Sequence, residues 1–148
     1  MHIISKVLIR AFNSGNKVLI IGNGGSSMEA GHFAAELLGK FEMERKALPA
    51  ISLSDNTAAM TAIANDYGYP LVFSRQIEAL GKPGDVLVIL STSGKSANCL
   101  AAEHAARNIG MDIIKFPERG ILKTAECQEL HLKLLHRICR EVEETMFL

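Results

Sequence analysis

The chain has 148 residues, 48% hydrophobic and 22% charged, a composition that excludes disordered and fibrous classes and suits one domain with a real core. Its 16 basic and 16 acidic residues cancel to a formal net charge of +0, which argues against a nucleic-acid footprint and favours self-association. The three cysteines, Cys99, Cys127 and Cys139, are odd in number and lack ribbon spacing, so buried reduced thiols are expected rather than disulfides.

In chain order, His2 to Phe12 reads as an amphipathic helix closed by Asn13-Ser14-Gly15-Asn16. This start lacks a signal-peptide cleavage pattern, and no apolar run approaches a membrane span, so the cytoplasm is the expected compartment. Lys17–Ile21 is a β-branched strand that ends in Gly22-Asn23-Gly24-Gly25-Ser26-Ser27. A helix follows to Gly39, with Ser26 or Ser27 expected as its N-cap and Glu29 in its first turn. Phe41–Lys46 reads as a charged, solvated loop. Pro49–Leu53 is a second strand, and Asp55 or Asn56 caps a helix reaching Ala64. Asn65-Asp66-Tyr67-Gly68 reads as a turn, Val72–Leu80 as a helix, and Gly81-Lys82-Pro83-Gly84 as a breaker. Asp85–Leu90, the most apolar strand, runs into Ser91-Thr92-Ser93-Gly94-Lys95-Ser96. The helix Ala97–Ile109 comes next, capped by Gly110. Met111–Phe116 is a fourth strand, Pro117–Lys123 is irregular, and Thr124–Glu144 is a long helix. Strands alternating with helices predict an α/β fold: a mainly parallel sheet flanked by helices in three layers, with residues 1–148 as one domain.

A strand, a Gly/Ser turn and a helix occur twice, at Val18–Ala30 and Val86–Ala101. Ligands of such sheets sit beyond the carboxyl ends of strands. Helix N-termini offer free N–H groups, and glycines let the backbone approach a phosphate. Ser91, Thr92, Ser93 and Ser96 supply four hydroxyls in six residues, more than an ordinary capping turn requires. Two nucleotide motifs are excluded. A Walker A loop ending at Gly94-Lys95-Ser96 would need glycine where Ile89 stands. A dinucleotide fingerprint starting at Gly22 would need glycine where Ser27 stands.

His32 and Glu36 are four residues apart and share a helix face. On a largely buried helix the pair taken alone is more readily structural than catalytic, and its spacing is not that of the zinc proteases. The last helix carries Gln128, His131 and His136 among leucines, where each polar group needs a partner. A satisfied core or interface histidine is the bland reading of both. Gln128 and His136 are separated by about 12 Å along a regular helix. Either Gln128 lies before the helix proper, or the site is completed by a neighbouring subunit.

Together these segments resemble the phosphosugar-binding SIS fold, a flavodoxin-like arrangement, and within it the phosphoheptose isomerases. The likeness runs through GNKVLIIGNGGSSMEAGHFAAELLGKF, RKALPAISL, AIANDYGY and FSRQIEALGKPGDVLVILSTSGKSAN, and resumes with CQELHLKLLHRICREVEE. It implies conversion of sedoheptulose 7-phosphate to D-glycero-D-manno-heptose 7-phosphate, feeding bacterial heptose synthesis for lipopolysaccharide or capsule. It also implies a cytoplasmic homotetramer that binds one Zn2+ per subunit, with no nucleic-acid or membrane partner. Residue by residue, the resemblance places Asn23, Gly24, Gly25, Ser26, Glu36, Asn65, Asp66 and Gln128 against substrate, with Ser91, Thr92, Ser93 and Ser96 on the phosphate. His32, Glu36, Gln128 and His136 match the metal ligands, and Glu36 and His136 match the acid/base pair. Glu36 is thereby given two tasks that compete, since a metal-bound carboxylate is a poorer base. The chain departs from the family pattern in a shorter N-terminal region, in FPERGILKTAE where a helix and strand are expected after Met111, and in Lys95 where asparagine is usual. The competing reading is a non-catalytic SIS module, a sugar-phosphate sensor or a replication-initiator-associating regulator. Such a module has no need of both Glu36 and His136.

Overall fold

Five consecutive apolar residues buried on both faces can only be an interior strand covered by helices on each side. Val18–Gly22 (β1) and Val86–Leu90 (β3) are such strands, every residue of each being buried. They pair in parallel at the centre of a four-stranded sheet of order β2-β1-β3-β4, with β2 at Ala50–Ser52 and β4 at Asp112–Lys115. The computed structural model describes residues 1–148. Its helices are α1 (Ile3–Asn13), α2 (Gly25–Leu38), α3 (Thr57–Tyr67), α4 (Ser74–Leu80), α5 (Ala97–Ile109) and α6 (Thr124–Phe147).

Strand periodicity sorts the core into two layers. Val18, Ile20, Val86, Val88 and Leu90 face α1, α2 and α6, where Leu8, Phe33, Leu37, Leu135 and Ile138 cover them. Leu19, Ile21, Leu87 and Ile89 face the other way, onto Phe73, Ile77, Cys99 and Ala102 of α4, α5 and the segment before α4. The three-layer α/β architecture expected from the alternation is therefore present. All three cysteines are free and buried, as their number implied. No helix is long and apolar enough to cross a membrane.

Several local expectations are corrected. The N-cap of α2 is Gly24, at φ 57°, and not Ser26 or Ser27. A backbone in that region favours glycine, and the two serines fall inside the first turn. Glu29 consequently lies beyond the first turn, which carries no acid. Asn65, Asp66 and Tyr67 are not a turn but the last residues of α3, which ends only at Gly68 (φ 96°). Asn and Asp are tolerated there because the final turn has no downstream N–H partners to lose. The Val72–Leu80 helix begins later, at Ser74, after a short 3-10 turn over Tyr69–Leu71. The expected Asn56 cap is present, its side chain accepting from the Ala59 N–H.

The largest correction concerns Phe41–Lys46, expected to be solvated. Arg45 and Glu143 form an ion pair there with side chains 1% and 2% exposed. Glu143, on α6, also accepts from the N–H groups of Phe41, Glu42 and Met43. Arg45 donates onward to the carbonyls of Glu36, Leu37 and Gly39 at the end of α2. One buried pair thus closes the C-terminus of α2 and fastens it to α6.

Five carboxylates are held below their ordinary range, and three of them fasten one part of the fold to another. At Glu143, burial alone would raise the group, but the N–H donors of Phe41 and Glu42 and the Arg45 charge outweigh it. At Glu141, burial is overcome by the Ser5 hydroxyl, the His2 N–H and Arg137, leaving the carboxyl at about 2. At Asp85, burial is overcome by Lys17 and Asn16. A depressed folded-state value stabilises the fold above the unfolded value and is lost as pH falls through the folded one. Urea midpoints are therefore expected to decline as pH falls below about 4, the unfolded carboxylate value. A midpoint that stayed level to pH 2 would contradict these assignments.

Candidate active site

The Gly/Ser turns after β1 and β3 lie side by side because those strands are neighbours in register, with Gly22 opposite Leu90. The sheet order reverses at this point: β2 lies on one side of β1 and β3 on the other. This is where open α/β sheets place ligands. Asn23, Ser26, Ser91, Thr92, Ser93 and Ser96 line a shared cavity of about 50 Å³. A side-chain clasp joins the turns. Asn23 Nδ2 donates to Asn98 Oδ1 (2.9 Å), Asn98 Nδ2 donates back to Asn23 Oδ1 (2.8 Å), and the Tyr69 hydroxyl donates to Asn23 Oδ1 (2.8 Å). Asn23 is thus engaged as a strut of the cradle. Asn98 and Tyr69 went unrecognised in the sequence; the signal for Asn98 was a polar residue on the buried face of α5.

The four hydroxyls divide into two kinds. Ser91 Oγ accepts from the Gly94 N–H and Ser93 Oγ from the Lys95 N–H, so both shape the turn. Ser96 is the N-cap of α5, yet its side chain makes no capping bond. Its hydroxyl and the first turn of α5 remain available to an anion. Lys95 and Arg119 flank the same loop around an adjoining cavity, and neither is ion-paired. The irregular segment after β4 is tied to the loop by the Arg119 N–H donating to the Thr92 carbonyl (2.8 Å).

A second cluster lies further along α2. His32 Nε2 is 2.9 Å from His136 Nε2 on α6 and 3.2 Å from Glu36 Oε1. One ligand atom from each of the three residues lies within 4.8 Å of the others. Phe41 stacks on the His136 ring at 5.3 Å and 22°. The loop pinned by Arg45 and Glu143 therefore also orients this histidine. Two imidazoles and a carboxylate are a normal zinc donor set, and three protein ligands with one open position is the pattern of catalytic zinc. The residues present fit such an ion.

Gln128 does not join this cluster within one chain. It lies inside α6, which excludes the alternative that it precedes the helix. Eight residues of regular helix separate it from His136, about 12 Å. Its side chain packs instead on Gly25, where an added Cβ would lie 2.5 Å from Gln128 Nε2. The absence of a side chain at Gly25 leaves the Gln128 amide room to lie against the backbone there. Asn65 and Asp66 are exposed at the end of α3 and bonded to each other (3.0 Å), and they do not line the cradle.

An anion cradle at a sheet switch point, with a His/Glu cluster along the helix that leaves it, defines a phosphosugar-binding site. The family model described as SIS domain matches residues 1–116, and the chain belongs to that family. Phosphoheptose isomerase of Roseiflexus sp. is 45% identical over 97% of this chain and 81% of its own. The protein of the same name from Synechocystis sp. is 45% identical over 95% and 80%. The structure of phosphoheptose isomerase from Neisseria gonorrhoeae superposes with a TM-score of 0.87 at 38% identity, covering 95% of this chain and 83% of that one. Within the SIS family, the chain is a member of the phosphoheptose isomerase group.

Proposed function

We propose that this chain, acting as a single domain over residues 1–148, is an aldose–ketose isomerase. Its substrate is sedoheptulose 7-phosphate and its product D-glycero-D-manno-heptose 7-phosphate, a precursor of envelope polysaccharide made in the cytoplasm. The observation that carries this reading is the convergence of Glu36 and His136 from two helices, beside His32 and along α2 from the anion cradle. From Gly25 to His32 is about 10 Å along the helix, a separation that suits a sugar phosphate bound lengthwise.

The cradle takes the phosphate on the Ser96 hydroxyl, the Thr92 hydroxyl and the free N–H groups of α5. At the other end Glu36 takes the proton from the carbon beside the carbonyl and returns it to the neighbouring carbon. His136 moves the second proton between the two oxygens. Each proton leaves one atom and arrives at the adjacent one, so the reaction balances without a redox partner. Zinc held by His32, Glu36 and His136 supplies Lewis-acid polarisation of the carbonyl when bound. Asn65 and Asp66 would reach substrate, and Gln128 the metal, only from another subunit, which supports a homo-oligomer, a tetramer in this reading, with sites completed between chains.

The deciding experiment follows sedoheptulose 7-phosphate by NMR with purified protein, zinc-loaded and metal-free. Conversion is expected; a folded, oligomeric protein that binds the sugar phosphate without converting it would instead be a sensor or regulator. For the cradle, Ser96→Ala is expected to raise KM at least about 10-fold, the cost of one hydrogen bond to a charged group. An unchanged KM would remove Ser96 from the phosphate.

A further inference from the structure

α2 and α6 meet along a line of polar contacts that starts with Gly25 against Gln128 and ends with His32 and Glu36 against His136. Between these ends lie Glu29 and His131, which the isomerisation does not use. His131 is 1% exposed. Its Nε2 is 2.6 Å from the Pro117 carbonyl oxygen, a hydrogen bond that requires the proton on Nε2. Its Nδ1 is buried with no partner, and so is Glu29 Oε2. These two orphaned atoms face each other at 3.9 Å.

Native interiors rarely leave two such atoms unpaired in contact range. At 3.9 Å no hydrogen bond joins them, and one proton satisfies both once the side chains close to hydrogen-bond distance. Placed on the Glu29 carboxyl, it is donated to Nδ1; placed on Nδ1, it is donated to the carboxylate. Without it, an imidazole lone pair faces a carboxylate in a dry setting, which is unfavourable. The remaining neighbours supply no substitute. Cys127 Sγ is 3.5 Å from Nε2, not from Nδ1, and donates to the Pro117 carbonyl. Phe116 presents a ring edge at 5.5 Å. No Lys or Arg pairs with Glu29, and burial pushes its carboxyl up to about 7. Arg119 is the cation whose charge reaches this group of residues, through Cys127.

We propose that Glu29 and His131 share a single proton and act as positioning residues of the isomerase, holding α6 against α2 and the Pro117 segment between Gln128 and His136. The proposal rests on the isomerase reading for its consequence, though not for the proton itself. The phosphate cradle is built from the turns after β1 and β3, so loss of the couple acts on His136 placement and on kcat more than on KM.

The test uses the full-length protein. Long-range proton–nitrogen NMR of the metal-free form reads the His131 ring directly. The expected spectrum has Nε2 protonated and Nδ1 hydrogen-bonded, with the Nδ1 signal responding to the protonation of Glu29. In Glu29→Gln the amide donates to Nδ1 at every pH, so the titration disappears. On the zinc-loaded enzyme, kcat of the native protein should fall above the midpoint relative to Glu29→Gln, both keeping the pH dependence that the acid/base pair itself imposes. Glu29→Ala, which supplies no donor, should lose about 10-fold in kcat with little change in KM, the usual cost of removing a group that positions a reactive one. Turnover with a His131 spectrum that Glu29→Gln leaves unaltered overturns the shared proton and spares the isomerase reading. A shared-proton spectrum in a protein without turnover overturns the positioning role and the isomerase reading together. Native and Glu29→Gln enzymes with the same pH profile overturn the positioning role alone.

Discussion

Glu36→Gln is expected to leave a folded protein that binds sugar phosphate and turns it over at least about 10²-fold more slowly, the loss typical of removing a positioned general base. Folding is spared because Glu36 is only partly buried and its backbone carbonyl, not its carboxylate, accepts from Arg45. Binding is spared because the cradle lies at the other end of the site. The zinc content of the variant must be read beside its rate, since Glu36 is also a candidate ligand. A slow variant that keeps its zinc assigns the loss to proton transfer, and one that loses zinc assigns it to the metal. Activity equal to the native enzyme would remove Glu36 from both roles.

The second large effect is on stability. Glu143→Gln or Arg45→Ala is expected to cost about 3–5 kcal/mol, because each leaves a buried charge without its partner. For a chain of this size that lowers the melting temperature by roughly 10 °C. Arg45→Lys should rescue little. Arg45 bonds Glu143 through Nε, the Leu37 and Gly39 carbonyls through Nη1 and the Glu36 carbonyl through Nη2, and a single ammonium cannot reproduce that fork. Activity should fall with stability, since the same loop stacks Phe41 on His136. Differential scanning calorimetry checks the first effect; a shift below 2 °C would mean the pair is replaceable by solvent.

These residues also mark how far the sequence can be read. The strands, the switch point and the two turns were legible because apolar runs and glycines act locally. Gly110 and Asn56 announced their helix ends for the same reason. Arg45 was illegible: a charged residue in a charged stretch reads as solvated unless its partner is known, and Glu143 lies 98 residues away. Gln128 shows the reverse. Helix geometry alone warned that it could not reach His136 in one chain, and the structure places it against Gly25 instead. Asn65 and Asp66 misled because turn-forming residues are also acceptable in a last helical turn. His131 announced only that it needs a partner; that Glu29 faces it depends on how α2 and α6 lie against each other.

The pairing of β1 with β3 restricts where this chain can change length. Gly22 and Leu90 are opposed, so the two turns begin at the same height. A residue inserted into either strand would lift its turn by about 3.3 Å and reverse the faces beyond it. Asn23 and Asn98 would then no longer reach each other, and the cradle would open into two unrelated loops. Segments that do not set this height, such as Pro117–Lys123, are free of that restriction. Drift in length among such domains should therefore collect in the connections beyond β4 and leave the count of residues from Val18 to Gly22, and from Val86 to Leu90, unaltered.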